Sequence, residues 1–322
     1  MFRKILMALA LSVIALPAFA QSSSLTRGWP NTDFTKFSVD FDEIMSGGPG
    51  KDGIPALSQV NVVPVSEVEF SEREPVVTVE IEGALPRAYP IRYLTWHEIA
   101  NDELGGIPLA VTFCPLCNSA LVFDRRLDGQ VLDFGVSGNL RNSDMVMFDR
   151  QTESWWQQFT GEGIVGEMTG KQLTQVVSWM ESLGEFRERN PNGEVMAEPT
   201  NHRRQYGANP YAGYDTSGNP FLYRGENPPF NIEPLSRVIR VGNRAWPLER
   251  LQANDTITEA GVLIVWKAGM ATALGARRIA DAKDIGSIRV YDAETGEDVI
   301  HEVSFAFAFH AFAPEGEWML GN

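Results

Sequence analysis

The chain has 322 residues, of which 43% are hydrophobic, 10% aromatic and 21% charged, a balance that supports an ordered core and excludes a largely disordered chain. Its formal net charge of −15 excludes nucleic acid and anionic membrane as partners, because phosphate binding needs a basic face. The acidity reads as solubility, and the sequence identifies no partner.

The N-terminus, "MFRKILMALALSVIALPAFA", carries Arg3 and Lys4, an apolar run, Pro17 and a small-residue ending. Residues 1–20 therefore read as a secretory signal peptide cleaved after Ala20. The run is too short to span a bilayer, and no later stretch approaches the roughly 18 uninterrupted apolar residues a span needs. A soluble periplasmic or secreted chain is expected after cleavage, without a transmembrane segment and in an oxidising compartment.

Residues 21–60 are rich in Ser, Gly, Asp and Pro and read as a loop-rich N-terminal segment. Residues 61–200 form a first, strand-rich half. In it "VVTVEIEG" (Val76–Gly83) alternates with period two, as a half-buried strand does. "TWHEIAND" (Thr95–Asp102) predicts a short helix with Thr95 as N-cap and Glu98 completing a capping box. The segments "IPLAVTF", "ALVFD", "VLDFGVS" and "DMVMFD" then predict successive strands. A second capping box, "SWME" (Ser178–Glu181), predicts a helix ending before Pro191. Residues 201–322 comprise a Gly/Pro/Tyr-rich loop (Asn201–Phe230) and a second half. Such a loop is long enough to shape a functional surface.

The two halves resemble each other. "AYPIRYL" from Ala88 matches "AWPLERL" from Ala245, "ANDELGGIPLAVTF" from Ala100 matches "ANDTITEAGVLIVW" from Ala253, and "VFDRRLDGQVL" from Val122 matches "VYDAETGEDVI" from Val290. The expected fold class is α+β and β-rich, with two related strand-rich halves from an apparent internal duplication. Asp124, Asp149 and Asp292, each ending an apolar strand, read as turn-starting carboxylates.

The blocks "YLTWHEIANDELGGIPLAVTFCPLCNSALVFDR", "FGVSGNLRNSDMVMFDRQTESWWQQFTGEGIVGEMTG" and "RRQYGANPYAGYD" resemble a bacterial and archaeal family of unknown function, numbered 3179. The resemblance covers about Arg87 to Trp318. It implies an exported or membrane-associated protein and no particular chemistry.

Chemistry therefore has to come from side chains. Cys114 and Cys117, the only cysteines, form a C-x-x-C that the second half replaces with "WKAGMATA", so the strand geometry does not need it. Two thiolates in a tight turn can chelate a metal whose other ligands come from elsewhere. His97, and His310 in the apolar run "FAFAFHAFAP" that reads as a strand, are the candidate imidazoles and Met145 a candidate thioether. Thiolate, thioether and imidazole together favour copper, with zinc as the alternative. A thiol-disulfide redox role is another reading, although the strand-turn-strand context leaves no room for a thioredoxin-type helix. A third is a small-ligand binder or enzyme without metal. In that reading Arg141 would fork onto a carboxylate, Trp155 or Trp156 would stack on a ring, and Asn142 would add hydrogen bonds, with Ser137, Asn139 and Asp144 nearby.

Overall fold

The computed structural model describes residues 25–321, so the expected signal peptide lies outside the described residues. The N-terminal segment supplies β1 (Ile44–Ser46), and β2 (Val62–Pro64) opens the first half. The first half runs through β3 (Pro75–Val79), β4 (Arg87–Pro90), α1 (Ile91–His97), β5 (Ile99–Leu104), β6 (Ile107–Cys114) and β7 (Ser119–Asp124). A ribbon of β8 (Arg126–Leu127) and β9 (Gln130–Val131) leads to β10 (Phe134–Arg141), β11 (Asp144–Asp149), β12 (Trp155–Gln157), β13 (Glu162–Val165) and β14 (Thr174–Val176). The half closes with β15 (Ser178–Ser182), α2 (Leu183–Arg189) and β16 (Glu194–Met196). The second half contains β17 (Arg237–Val241), β18 (Arg244–Pro247), α3 (Leu248–Asn254), β19 (Thr256–Glu259), β20 (Val262–Lys267), β21 (Ser287–Asp292), β22 (Glu302–Phe305), α4 (Ala306–Phe312) and β23 (Glu317–Trp318).

These strands make five sheets of three to five strands in a β-propeller-like arrangement, plus the short ribbon. Among the described residues the α-helices are four pieces of seven residues each, so β-rich describes the molecule better than α+β. One apolar core, running from Leu57 to Ala308, takes side chains from both halves.

The same element order and pairing occur in each half. In the first, β3 and β4 are antiparallel, α1 follows, β5, β6 and β7 meander, β15 returns beside β3, and β16 lies parallel to β4 after α2. In the second, β17 and β18, α3, the meander of β19, β20 and β21, β22 beside β17, and β23 parallel to β18 repeat that course. The registers correspond. Phe113 N donates to Glu98 O at 2.8 Å and Trp266 N to Asp255 O at 2.7 Å, while Cys114 pairs with Ser119 and Lys267 with Ser287. The halves interlock, with β7 beside β22 and β21 beside β15. The β1–β10–β11–β12–β13 sheet has no counterpart between β21 and β22.

Three local expectations are corrected. The helix expected at Thr95–Asp102 begins earlier, after Pro90, and ends at Glu98, whose φ of 59° breaks it; Ile99 onward is strand. Proline presets the entry to the helix, and this outweighs the Thr95 capping signal, whose hydroxyl donates instead to Arg92 O at 3.2 Å. The helix expected from Ser178 begins at Leu183, because Ser178–Ser182 completes a five-residue ladder with β3; Ser182 is the cap, accepting from Glu185 N at 3.1 Å. Ser182→Ala should therefore lower stability by about 1 kcal/mol in urea denaturation. The apolar run carrying His310 is not one strand but β22 followed by α4, since an apolar stretch without periodicity does not distinguish the two. The carboxylates of Asp124, Asp149 and Asp292 each accept backbone N–H bonds in their turns, from Arg126, Thr152 and Thr295 among others.

Candidate metal centre and adjoining cavity

Strand β6 is buried from Pro108 onward and delivers Cys114 as its last residue. Residues Pro115–Asn118 turn the chain, closed by Asn118 N donating to Pro115 O at 3.2 Å with Asn118 at φ 52°. The left-handed position suits asparagine better than any residue but glycine. Cys117 lies inside this turn, and three outside groups hold it. Phe305 N donates to Cys117 O at 2.9 Å, Asn118 Nδ2 to Val303 O at 2.9 Å, and Tyr214 Oη to Leu116 O at 3.1 Å. The C-x-x-C turn is thus fixed by β22 of the second half and by the tyrosine-rich loop.

Asp144 comes from the sheet that the second half lacks. It opens β11 directly after the Asn142–Ser143 turn, whose φ values of 50° and 64° are those of a tight hairpin. The opposite strand, β10, bulges at Ser137–Asn139, and Gly138 there is indispensable: with φ 79°, a Cβ would sit 1.9 Å from Pro49 O. One carboxylate oxygen of Asp144 accepts from Gln157 Nε2 at 2.6 Å and Phe159 N at 3.0 Å, and the buried carboxyl also takes hydrogen bonds from the thiols of Cys114 and Cys117. The two sulfurs and this carboxylate lie within 4.8 Å of one another, and all three residues are buried.

Electrostatically the cluster is acidic and starved of cations. Burial raises Asp144 to about 6, against the pull of its bonds from Gln157 and Phe159. Burial likewise raises Cys114, and holds Cys117 well above the ordinary thiol range. Two more carboxyls stand near: Glu98, raised by burial to about 8, and Glu302, raised by burial to about 7 although Arg240 pairs with it at 3.1 Å. Buried polar atoms without partners lie around the same turn, Asn118 Oδ1 and Gln158 Oε1, while the Ser119 hydroxyl serves the Glu302 carboxyl. Such a group of orphans is uncommon in folded proteins and points to a missing partner. Beside the cluster lies a cavity of about 610 Å³ whose wall includes Glu98, Leu116, Met145, Tyr211, Tyr214 and Phe221. The Gly/Pro/Tyr-rich loop thus covers this site.

The remaining expected site residues are placed as follows. Met145 is buried next to Asp144 and lines the cavity. Neither histidine belongs to the cluster of mutually close ligand atoms. Both ring nitrogens of His97 are engaged, with Pro55 O at 2.7 Å and Tyr206 Oη at 2.6 Å. His310 stands on α4, with Nδ1 buried and unpartnered. Arg141 does fork onto a carboxylate, but it is the chain's own Glu43, at 2.7 Å. Asn142 forms the hairpin turn. Trp155 and Trp156 have no accessible face for stacking: Trp155 packs against Trp29 and Phe34, and Trp156 against Phe134 with its Nε1 donating to Asp149 Oδ2 at 2.8 Å. Tandem tryptophans in a strand send one ring to each side of the sheet, and here both sides are core. Glu98 and Glu302 were not legible as site residues; each sits in an ordinary amphipathic context, and only the three-dimensional arrangement brings them near the thiols.

The family described as Protein of unknown function (DUF3179) matches residues 51–316. No curated protein and no solved structure matches the chain significantly.

Proposed function

The chain belongs to the DUF3179 family of proteins of unknown function, which supplies no activity to carry over, and we propose from the site itself that it binds one thiophilic metal ion through Cys114, Cys117 and Asp144. The observation that carries this reading is the meeting of two thiols and a carboxyl, all buried and within 4.8 Å of one another. A fold that buries three such groups together bears their desolvation unless a positive charge joins them. A metal supplies that charge and removes the thiol protons as it binds.

Among metals, zinc suits the set better than copper. The copper expectation leaned on imidazole ligands, and neither His97 nor His310 is in the cluster. A carboxylate is a harder donor than copper(I) prefers, and a divalent ion neutralises more of three anionic ligands than a monovalent one. Three protein donors are one fewer than a closed structural zinc site uses, and this is the count of sites that keep a position for a further ligand. A thiol-disulfide function is less favoured, because exchange needs an accessible thiolate of lowered pKa, whereas both thiols are buried and raised.

Two further proposals complete the reading. The repeated topology arose by internal duplication, with the ligand-bearing turn and the sheet carrying Asp144 elaborated in the first half alone. The chain is also exported, as residues 1–20 suggest, and metal ligation would keep its thiols from oxidation there. Elemental analysis of the protein purified without chelators tests the function: about one equivalent of zinc per chain is expected, copper in its place would revise the metal, and no metal, with two thiols free or joined in a disulfide, would refute the reading.

A further inference from the structure

We propose that the 610 Å³ cavity beside the C-x-x-C turn is a binding site for a small organic ammonium ion carried on an apolar or aromatic body. Its wall holds no lysine, arginine or histidine, and Glu98 is its only charged residue. The rest is largely apolar, from Leu116, Val136, Leu140 and Met145, with rings from Tyr211, Tyr214 and Phe221. Apolar and aromatic walls with one buried carboxyl form the setting in which cations are held by charge and by ring faces together.

The surroundings of Glu98 disfavour its ionised form and supply no cation to pair with it among the described residues. It is 7% exposed, and no lysine or arginine pairs with it among the described residues. It caps the C-terminal end of α1, where the helix dipole opposes a negative charge. Its φ of 59° is a strained conformation for a side-chain-bearing residue. Its side chain receives one hydrogen bond, a long one of 3.4 Å from Tyr211 Oη. Asp144 adds further negative potential from behind the wall. Burial favours the protonated carboxyl, an ammonium would draw Glu98 into the ionised form by pairing with it, and an anionic ligand would oppose that ionisation.

The tyrosine-rich loop is built to present rings. The Tyr214 hydroxyl is already committed, donating to Leu116 O and accepting from Phe221 N, each at 3.1 Å, so what Tyr214 offers the cavity is its ring. Asn209 ties down the loop by donating to Ala273 O at 2.8 Å and accepting from Tyr211 N at 2.8 Å. Phe221, 48% exposed, stands at the solvent side. None of Cys114, Cys117 and Asp144 is among its wall residues, so the cavity and the proposed metal ligands present different groups, although Asp144 acts on Glu98 through space.

Calorimetric titration with three probes sharing an indole body tests the proposal: tryptamine, tryptophol and indole-3-propionate, which differ in the charge of the head group. Tryptamine should bind about tenfold or more tighter than tryptophol, the scale of one charge-assisted hydrogen bond, and indole-3-propionate should be weakest. Glu98→Gln should bring tryptamine down to the level of tryptophol, with circular dichroism verifying the fold. Should that variant not fold, Phe221→Ala at the exposed rim should weaken tryptamine more than tryptophol. The same order should hold in the Cys114→Ser/Cys117→Ser protein, which separates this site from the metal. Binding of indole-3-propionate as tight as tryptamine, a tryptamine preference surviving Glu98→Gln, or no binding of any probe would overturn the proposal.

Discussion

Replacing Cys114 and Cys117 together with serine is expected to take bound metal from about one equivalent per chain to near zero, the largest effect this structure predicts. A serine hydroxyl is not deprotonated near neutral pH and cannot stand in for a thiolate ligand. The stability of the metal-stripped wild type should rise on adding zinc, by about 4 kcal/mol when free ion exceeds the dissociation constant a thousandfold. The double variant should show no such rise in thermal unfolding. Asp144→Asn keeps the shape and the bonds from Gln157 and Phe159 within reach but removes the charge, so it should weaken the metal at least tenfold without abolishing binding. His97→Ala should leave metal content unchanged, because both ring nitrogens serve Pro55 and Tyr206.

The second large effect is a loss of stability in the metal-free protein as pH rises from about 4.5 to 8. Glu98 titrates near 8, Glu302 near 7 and Asp144 near 6 in the fold, against 4.5, 4.5 and 3.8 for the free side chains. Over that window the native state holds protons that the unfolded chain has released, so unfolding loses protons and the stability falls with rising pH. Below about pH 4 the stabilising contribution is fully present; above about pH 8 it is gone. Glu98 alone, moved from 4.5 to about 8, accounts for on the order of 5 kcal/mol. Urea denaturation of the metal-free protein across pH 4.5 to 8 measures the slope, and Glu98→Gln should lessen it across the whole window and nearly abolish it between 7 and 8. A stability that rises over this range would contradict the burial of these carboxyls in protonated form. Because a bound metal favours the charged thiolates and carboxylate, the slope should shrink when zinc is present.

How much of this was readable in the sequence follows from which signals are local. The C-x-x-C and its absence from the second half were visible, since they need only a comparison of "FCPLCNSA" with "WKAGMATA". The meander of β5, β6 and β7 was partly visible as apolar runs. Its first strand was read as helix because Thr95 and Glu98 mimic a capping box while Pro90, the true start, lies five residues earlier. The expected ligand set and the group of mutually close ligand atoms share only the two cysteines, for a similar reason. His97 and His310 stood out as rare residues in apolar surroundings, yet rarity says nothing about distance. Asp144 reaches the thiols only because the Asn142–Ser143 turn aims the start of β11 at the end of β6, a relation across 30 residues of chain that no periodicity encodes. The tandem tryptophans looked like a stacking platform and are core, because β12 is covered on both faces.

The central claim, a metal held by two cysteine sulfurs and one carboxylate oxygen, is tested most directly by X-ray absorption at the metal edge of the purified protein. The account predicts two sulfur scatterers at about 2.3 Å together with oxygen at about 2.0 to 2.2 Å, and loss of the sulfur shell in the Cys114→Ser/Cys117→Ser variant. A shell of nitrogen and oxygen alone, or a spectrum unchanged by removing the cysteines, would contradict it.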